Sequence, residues 1–167
     1  MTPYTPSLLV RPGFDGEAVL KRALSRCAAR GLGGADQLLE ALRAGDQVAH
    51  SAFRYAVAQE VACWLSQLGS VFRAVYVHGS TVEDRARPSS DVDLIAWTGR
   101  KLDAVGRLLA LVDLSLAKAY RGLMGRDEPR HLLDVQLVDD EEVELGRGYG
   151  AVIRSPWTAP ICMWRRP

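Results

Sequence analysis

The sequence lacks the long apolar segments that would place the chain in a membrane or mark it for secretion. Its uninterrupted apolar runs, such as Leu8–Val10 and Leu108–Val112, cover only a few residues, whereas a membrane-spanning helix needs about 20. The first residues, MTPYTPSLLVRPGF, contain no charged segment followed by an apolar one, and a secretory signal has both. We therefore expect a cytoplasmic protein with no membrane partner.

Cysteine is scarce, and neither sign of charge dominates. Cys27, Cys63 and Cys162 are widely separated, which excludes a disulfide scaffold and a cysteine-based zinc site. Because 21 Lys and Arg residues face 20 Asp and Glu residues, bulk charge does not favour coating of nucleic acid or of an anionic membrane. With 167 residues, 48% of them hydrophobic, the chain can bury a hydrophobic core without disulfide cross-links.

The first 70 residues are predicted to be a short arm followed by helices. Residues 1–13 contain three prolines and are expected to be extended. Apolar residues then recur at helical spacing, which predicts helices over 16–30, over 37–44 and from Asp46, as N-cap, to Leu68. Residues 1–70 are therefore predicted to form an N-terminal arm and helical element.

The pattern changes to alternating strands and helix in residues 71–153. Stretches rich in β-branched and aromatic residues predict strands over 71–77, 91–97 and 131–138, with a short edge strand over 151–153. A long helical stripe over 102–124 separates the second strand from the third. Prolines in residues 154–167 predict an irregular C-terminal tail. The whole pattern is typical of an α+β protein with a mixed sheet flanked by helices.

Three aspartates in the predicted strands are candidate metal ligands. Asp91 and Asp93 are two residues apart in one strand, so their side chains project from the same face. Adjacent carboxylates repel each other unless a cation lies between them, and Mg²⁺ prefers such oxygen ligands. Asp134 interrupts the apolar run of the next strand. If the two strands pair, the three carboxylates meet at one edge, an arrangement typical of two-metal sites for phosphoryl chemistry. The alternative is that they are solvated carboxylates on an exposed strand face.

A glycine–serine pair ends the first predicted strand. Gly79 permits close approach of the backbone to a ligand. Ser80 and Glu83 have the spacing of a helix cap, and the free N–H groups of a capped helix can bind phosphate. Capping alone, without phosphate binding, fits the same two residues equally well.

Together these motifs resemble the DNA polymerase beta-type nucleotidyltransferase superfamily, nearest to its small bacterial members. The resemblance rests on Gly79-Ser80, a ten-residue gap, Ser90-Asp91-Val92-Asp93-Leu94 and the later strand aspartate Asp134. It covers residues 71–138. It implies a nucleotidyltransferase domain over 71–153 that moves a nucleoside monophosphate from an NTP, with ATP the favoured one, to an acceptor hydroxyl and releases pyrophosphate.

The resemblance also implies residue roles and cofactors. Asp91, Asp93 and Asp134 would be the catalytic residues and would hold Mg²⁺, as two ions, with Asp134 helping to deprotonate the acceptor. The nucleotide-binding residues would be Gly79, Ser80, Ser90, Arg85 and Arg87.

One departure from the family pattern favours a second hypothesis. Where small members often have Arg and Gly after Gly-Ser, this chain has Thr81-Val82-Glu83-Asp84, and two acids near a triphosphate have the wrong sign of charge. Arg85 and Arg87 are the candidate compensating charges. The alternative function is a nucleotidyltransferase-fold binding module that is the antitoxin-like partner of a toxin-like protein; a homo-oligomer and an RNA-binding role for the helical element are also compatible with the sequence.

Overall fold

The computed structural model describes residues 13–167, so the predicted N-terminal arm falls almost entirely outside the described residues. The described chain is mixed α and β. Its helices are α1 (Gly16–Ala29), α2 (Ala35–Ala44), α3 (Gln47–Ser66), α4 (Asp103–Met124), α5 (Asp140–Leu145) and α6 (Gly148–Ile153), and its strands are β1 (Phe72–His78), β2 (Val92–Thr98), β3 (Leu133–Val138) and β4 (Ile161–Arg165).

The N-terminal helices begin and end where local chemistry requires. Asp15 and Asp46 cap α1 and α3, each carboxylate accepting a hydrogen bond from the backbone three residues ahead. Gly45 ends α2 with a left-handed φ of 81°, a conformation that glycine adopts at little cost. The three predicted helices and the predicted Asp46 cap are thus confirmed within a few residues. None of the helices within residues 13–167 combines the length and apolar character needed to cross a bilayer.

The four strands form one mixed sheet in the order β3-β2-β1-β4. Strand β1 pairs antiparallel with β2 and β4, and β2 pairs parallel with β3. A parallel pair needs a crossover connection, which α4 provides between β2 and β3. The predicted α+β architecture with a mixed sheet is therefore confirmed.

The two faces of the sheet have different environments. One face carries the main core, to which α1, α3 and α4 contribute and which includes Val75, Val92 and Leu94. The other face carries a smaller apolar cluster that includes Tyr76 and Ile95, with Val143 of α5 and partly buried residues of α6 packed on it. The part of the second face that this smaller cluster does not cover can carry polar side chains.

Two predictions at the C-terminus are wrong. The tail is not irregular, because Ile161–Arg165 forms β4 on the outer edge of β1. Pro156 and Pro160 precede the strand and Pro167 follows it, so none of them removes a ladder hydrogen bond. Residues 151–153 are not a strand but the end of α6, in which Gly150 lies so close to the Glu142 carbonyl that a Cβ there would be 2.3 Å from its oxygen. The sheet therefore extends beyond residue 153.

Candidate metal centre

The structure brings the three predicted aspartates together at one end of β2. Asp93 in β2 is the register partner of Asp134 in β3, and Asp91 lies two residues before Asp93 on the same face. One carboxylate oxygen from each residue lies within 4.8 Å of one from each of the others. The predicted pairing of the two strands and the convergence of the three side chains are confirmed.

The electrostatics of this cluster favour a cation. Burial, reinforced by the charges of Asp91 and Asp134, raises the pKa of Asp93 from 3.8 to about 6. Near neutral pH the Asp93 carboxyl is mostly ionised, at the cost of repulsion from the neighbouring acidic side chains. A hard divalent ion such as Mg²⁺ would relieve that repulsion and takes this type of oxygen ligand. The donor set therefore fits the predicted cofactor.

Gly79 is required by the close approach of Asp93. Its φ is +72°, and a Cβ built on it would lie 2.3 Å from Oδ2 of Asp93. Any side chain at this position would have to displace the carboxylate. The sequence predicts that a ligand approaches this glycine; in the structure the nearest group is the central carboxylate of the cluster.

The prediction that Ser80 caps a short helix is wrong. Gly79–Thr81 forms a single 3₁₀ turn whose N-cap is His78, and Ser80 lies inside that turn. The Ser80 carbonyl accepts a hydrogen bond from the Arg85 backbone N–H (3.0 Å), which closes the chain after the turn. Ser80 thus directly follows Gly79, the residue that contacts the Asp93 carboxylate, but it does not cap a helix.

The other predicted nucleotide-binding residues lie in the loop between the 3₁₀ turn and β2. The Arg85 guanidinium is paired with Glu83, and both side chains are largely exposed. The Ser90 hydroxyl accepts a hydrogen bond from the Arg87 backbone N–H (2.9 Å). Ser90 is therefore engaged in shaping the loop, and Arg85 already has an acidic partner.

Two further side chains on this sheet face were not singled out as site residues from the sequence. Gln136 donates a hydrogen bond from Nε2 to Oδ1 of Asp134 (2.8 Å), which orients that carboxylate. His78 is the register partner of Asp93, and its Nε2 is buried without a hydrogen-bond partner among the described residues. Burial lowers the pKa of His78, while the charge of Asp134 opposes that effect. The period-two alternation of strands was the available signal for both residues.

Comparisons of the chain with protein-family models, with curated proteins and with solved structures give no match. The choice of a function therefore depends on the geometry of the site itself.

Proposed function

We propose that this protein is a Mg²⁺-dependent nucleotidyltransferase with the fold of the DNA polymerase beta-type superfamily. In this proposal it moves a nucleoside monophosphate from an NTP, with ATP the favoured donor, to an acceptor hydroxyl. The observation that carries the proposal is the convergence of Asp91, Asp93 and Asp134 within 4.8 Å directly beside the Gly79-Ser80 turn.

In this reaction the acceptor oxygen forms a bond to the α-phosphorus of the NTP, and the bond from that phosphorus to the bridging oxygen breaks. Pyrophosphate leaves with the electron pair of the broken bond. Bound Mg²⁺ would neutralise the charge that develops on the phosphate oxygens. The acceptor hydroxyl loses its proton, and Asp134 is the proposed base.

Each carboxylate has an environment that suits its proposed role. Asp91 and Asp93 face the same side of one strand and would hold the metal. Asp134 lies on the neighbouring strand, where Gln136 bonds one of its oxygens and leaves the other available for a proton. The backbone of Gly79 and Ser80 would contact the triphosphate, since no side chain stands at Gly79 to obstruct it.

Nucleotide binding and transfer can be tested with purified protein. We expect Mg²⁺ and a non-hydrolysable ATP analogue to give calorimetric heat and a rise in Tm, and ATP labelled on its α-phosphate to transfer label to an acceptor. Asp93→Asn should abolish transfer, while Asp127→Asn, at an exposed position, should not change it. Full activity in both Asp91→Asn and Asp93→Asn would show that the site is assigned wrongly.

The pairing of Arg85 with Glu83 favours a second candidate, a binding module that is the antitoxin-like partner of a toxin-like protein. An arginine held by an acid contributes less positive charge to a triphosphate site. This candidate predicts no heat and no Tm change with Mg²⁺ and the ATP analogue, together with a small helical protein that co-purifies from the native host. Label transfer dependent on Asp93 would exclude it as the sole function.

A further inference from the structure

A positive charge lies in the interior of the protein, behind the loop that leads into the metal centre. Arg54 is in the middle of α3 and is completely inaccessible to solvent. Placing a guanidinium in the interior is unfavourable unless its donors are satisfied. Within residues 13–167 it forms no ion pair with a carboxylate, so hydrogen bonds and an aromatic ring surround the charge instead.

The donors of Arg54 are used mainly on the backbone of the loop before β2. Nε donates to the Ser90 carbonyl (2.9 Å) and Nη2 to the Pro88 carbonyl (3.1 Å). The guanidinium carbon lies 5.5 Å from the ring centroid of Tyr120 in α4, a favourable cation–π distance. The planar guanidinium fork therefore holds two carbonyls two residues apart, which an ammonium group could not do with the same geometry.

The third contact of Arg54 connects this arrangement to α2. Nη1 lies 2.6 Å from Nδ1 of His50, and Nε2 of His50 lies 2.9 Å from the Leu42 carbonyl. A neutral imidazole that donates from Nε2 and accepts at Nδ1 satisfies both contacts. His50 therefore orients the guanidinium through Nη1, the nitrogen that does not bond the loop carbonyls.

Among the residues that the structure describes, one other side-chain hydrogen bond joins this loop to α3. The Ser51 hydroxyl accepts a hydrogen bond from the Ala86 backbone N–H (3.0 Å), five residues before Asp91. By contrast, the Ser90 carbonyl bonded by Arg54 belongs to the residue immediately before Asp91. A rotation of the Ser90 peptide changes the direction of Asp91 directly.

We propose that Arg54 is a positioning residue that aligns Asp91 with Asp93 and Asp134 by holding the Pro88 and Ser90 carbonyls. It does not touch the metal or the nucleotide. Its contribution is to the divalent-cation affinity of the site, separately from its contribution to the stability of the fold. This inference rests on the proposed function only in taking the three carboxylates as the metal centre.

The test measures cation binding by the full chain without nucleotide. Mn²⁺ is the probe, because it takes the same oxygen ligands as Mg²⁺ and free Mn²⁺ gives an electron paramagnetic resonance signal that disappears on binding. We expect Arg54→Lys, which keeps the charge but loses the fork, to raise the Kd for Mn²⁺ about tenfold or more, as loss of a residue that orients a metal ligand commonly does.

Two controls separate positioning from general stability. Val61→Ala, in the buried part of the same helix and seven residues beyond Arg54, should lower Tm by truncating the core. It should leave the Kd within about twofold, because it removes no hydrogen bond to the loop. Ser51→Ala should release the loop at Ala86 and weaken binding less than Arg54→Lys. Each variant is measured well below its own Tm, so that the unfolded fraction is negligible.

Each outcome decides the inference. If the wild-type chain binds no Mn²⁺, the proposed function and the inference both fall. If the wild type binds and Arg54→Lys binds equally well, only the inference falls. If Arg54→Lys does not fold, His50→Gln replaces it: this variant keeps Arg54 but removes the imidazole that orients it, and should weaken Mn²⁺ binding in the same direction, whereas unchanged affinity would overturn the inference.

Discussion

The strongest consequence of the site concerns stability rather than activity: the aspartate at the centre of the cluster should destabilise the metal-free protein. Asp93 has a pKa raised from 3.8 to about 6 by burial and by its two acidic neighbours. The folded state thus holds the proton of this carboxyl more tightly than the unfolded state does. Above pH 6 the ionised carboxylate is a net cost to folding, and below pH 3.8 that cost disappears.

The size of the effect follows from these two pKa values. A tenfold change in proton affinity corresponds to 1.36 kcal/mol, so the difference between 3.8 and about 6 gives an upper limit of about 3 kcal/mol. Asp93 is only half-buried and solvent screens its neighbours, which lowers the expected value to about 1–2 kcal/mol. For a chain of 167 residues this corresponds to a rise in Tm of about 2–8 °C.

We therefore expect Asp93→Asn to be more stable than the wild type at pH 8 in EDTA, by urea denaturation or calorimetry. The amide has nearly the same shape, carries no charge and can donate to its acidic neighbours. The gain should shrink by about half at pH 5, where the wild-type carboxyl is mostly protonated. Excess Mg²⁺ should reverse the order, because only the wild type retains the full ligand set.

The exposed Asp127 supplies the control, since Asp127→Asn should leave stability within about 0.5 kcal/mol of the wild type at both pH values. The reasoning is refuted if Asp93→Asn is equally or less stable than the wild type at pH 8 in EDTA.

Three further predictions concern pH and backbone geometry. Mg²⁺ or Mn²⁺ affinity should fall as pH drops through about 6, because protons compete with the cation for the Asp93 carboxylate. Calorimetry in buffers of different ionisation enthalpy should detect proton release on cation binding. If no proton is released at pH 6, competition at Asp93 is not the reason for the pH dependence. Burial and the nearby guanidinium lower the pKa of His50 to about 4, so its contribution to stability is present above pH 6.5 and declines as pH falls towards 4. By pH 5 the loss is about 2 kcal/mol, measurable by urea denaturation of Asp93→Asn, in which the opposing titration is absent; a flat profile there would refute it. Gly79→Ala should lose stability by more than 1 kcal/mol and lose metal affinity, because the new Cβ would meet the Asp93 carboxylate. Gly69 has nearly the same positive φ as Gly79 but open space around it. Gly69→Ala should therefore lose stability through backbone strain alone and keep its metal affinity. Equal metal affinity in the two variants would exclude a steric clash with Asp93 as the explanation.

Several parts of the site could be predicted because they depend on short-range periodicity. The i, i+2 spacing of Asp91 and Asp93 requires them to share a face once the segment is a strand. A long helix between two apolar runs is the usual connection between parallel strands, which favours a parallel pair of β2 and β3. Asp134 then follows as the neighbour of Asp93, and the observed register agrees.

The features that were missed depend on what lies across space. Ser80 with Glu83 has the spacing of a helix cap, but the chain makes one 3₁₀ turn there and continues into a loop attached to α3. The tail contains prolines and looks irregular by composition, yet Ile161–Arg165 meets the open edge of β1 and satisfies its backbone groups there. Local patterns carry no information about which edge remains open.

The sequence by itself determined the order and type of most elements and the face on which each strand places its carboxylates, since both depend on neighbours along the chain. Only the tertiary structure decided that Arg54, 37 positions before Asp91, bonds the carbonyl next to that aspartate. Burial of the guanidinium requires acceptors, and these became available only when α3, α4 and the loop before β2 packed together.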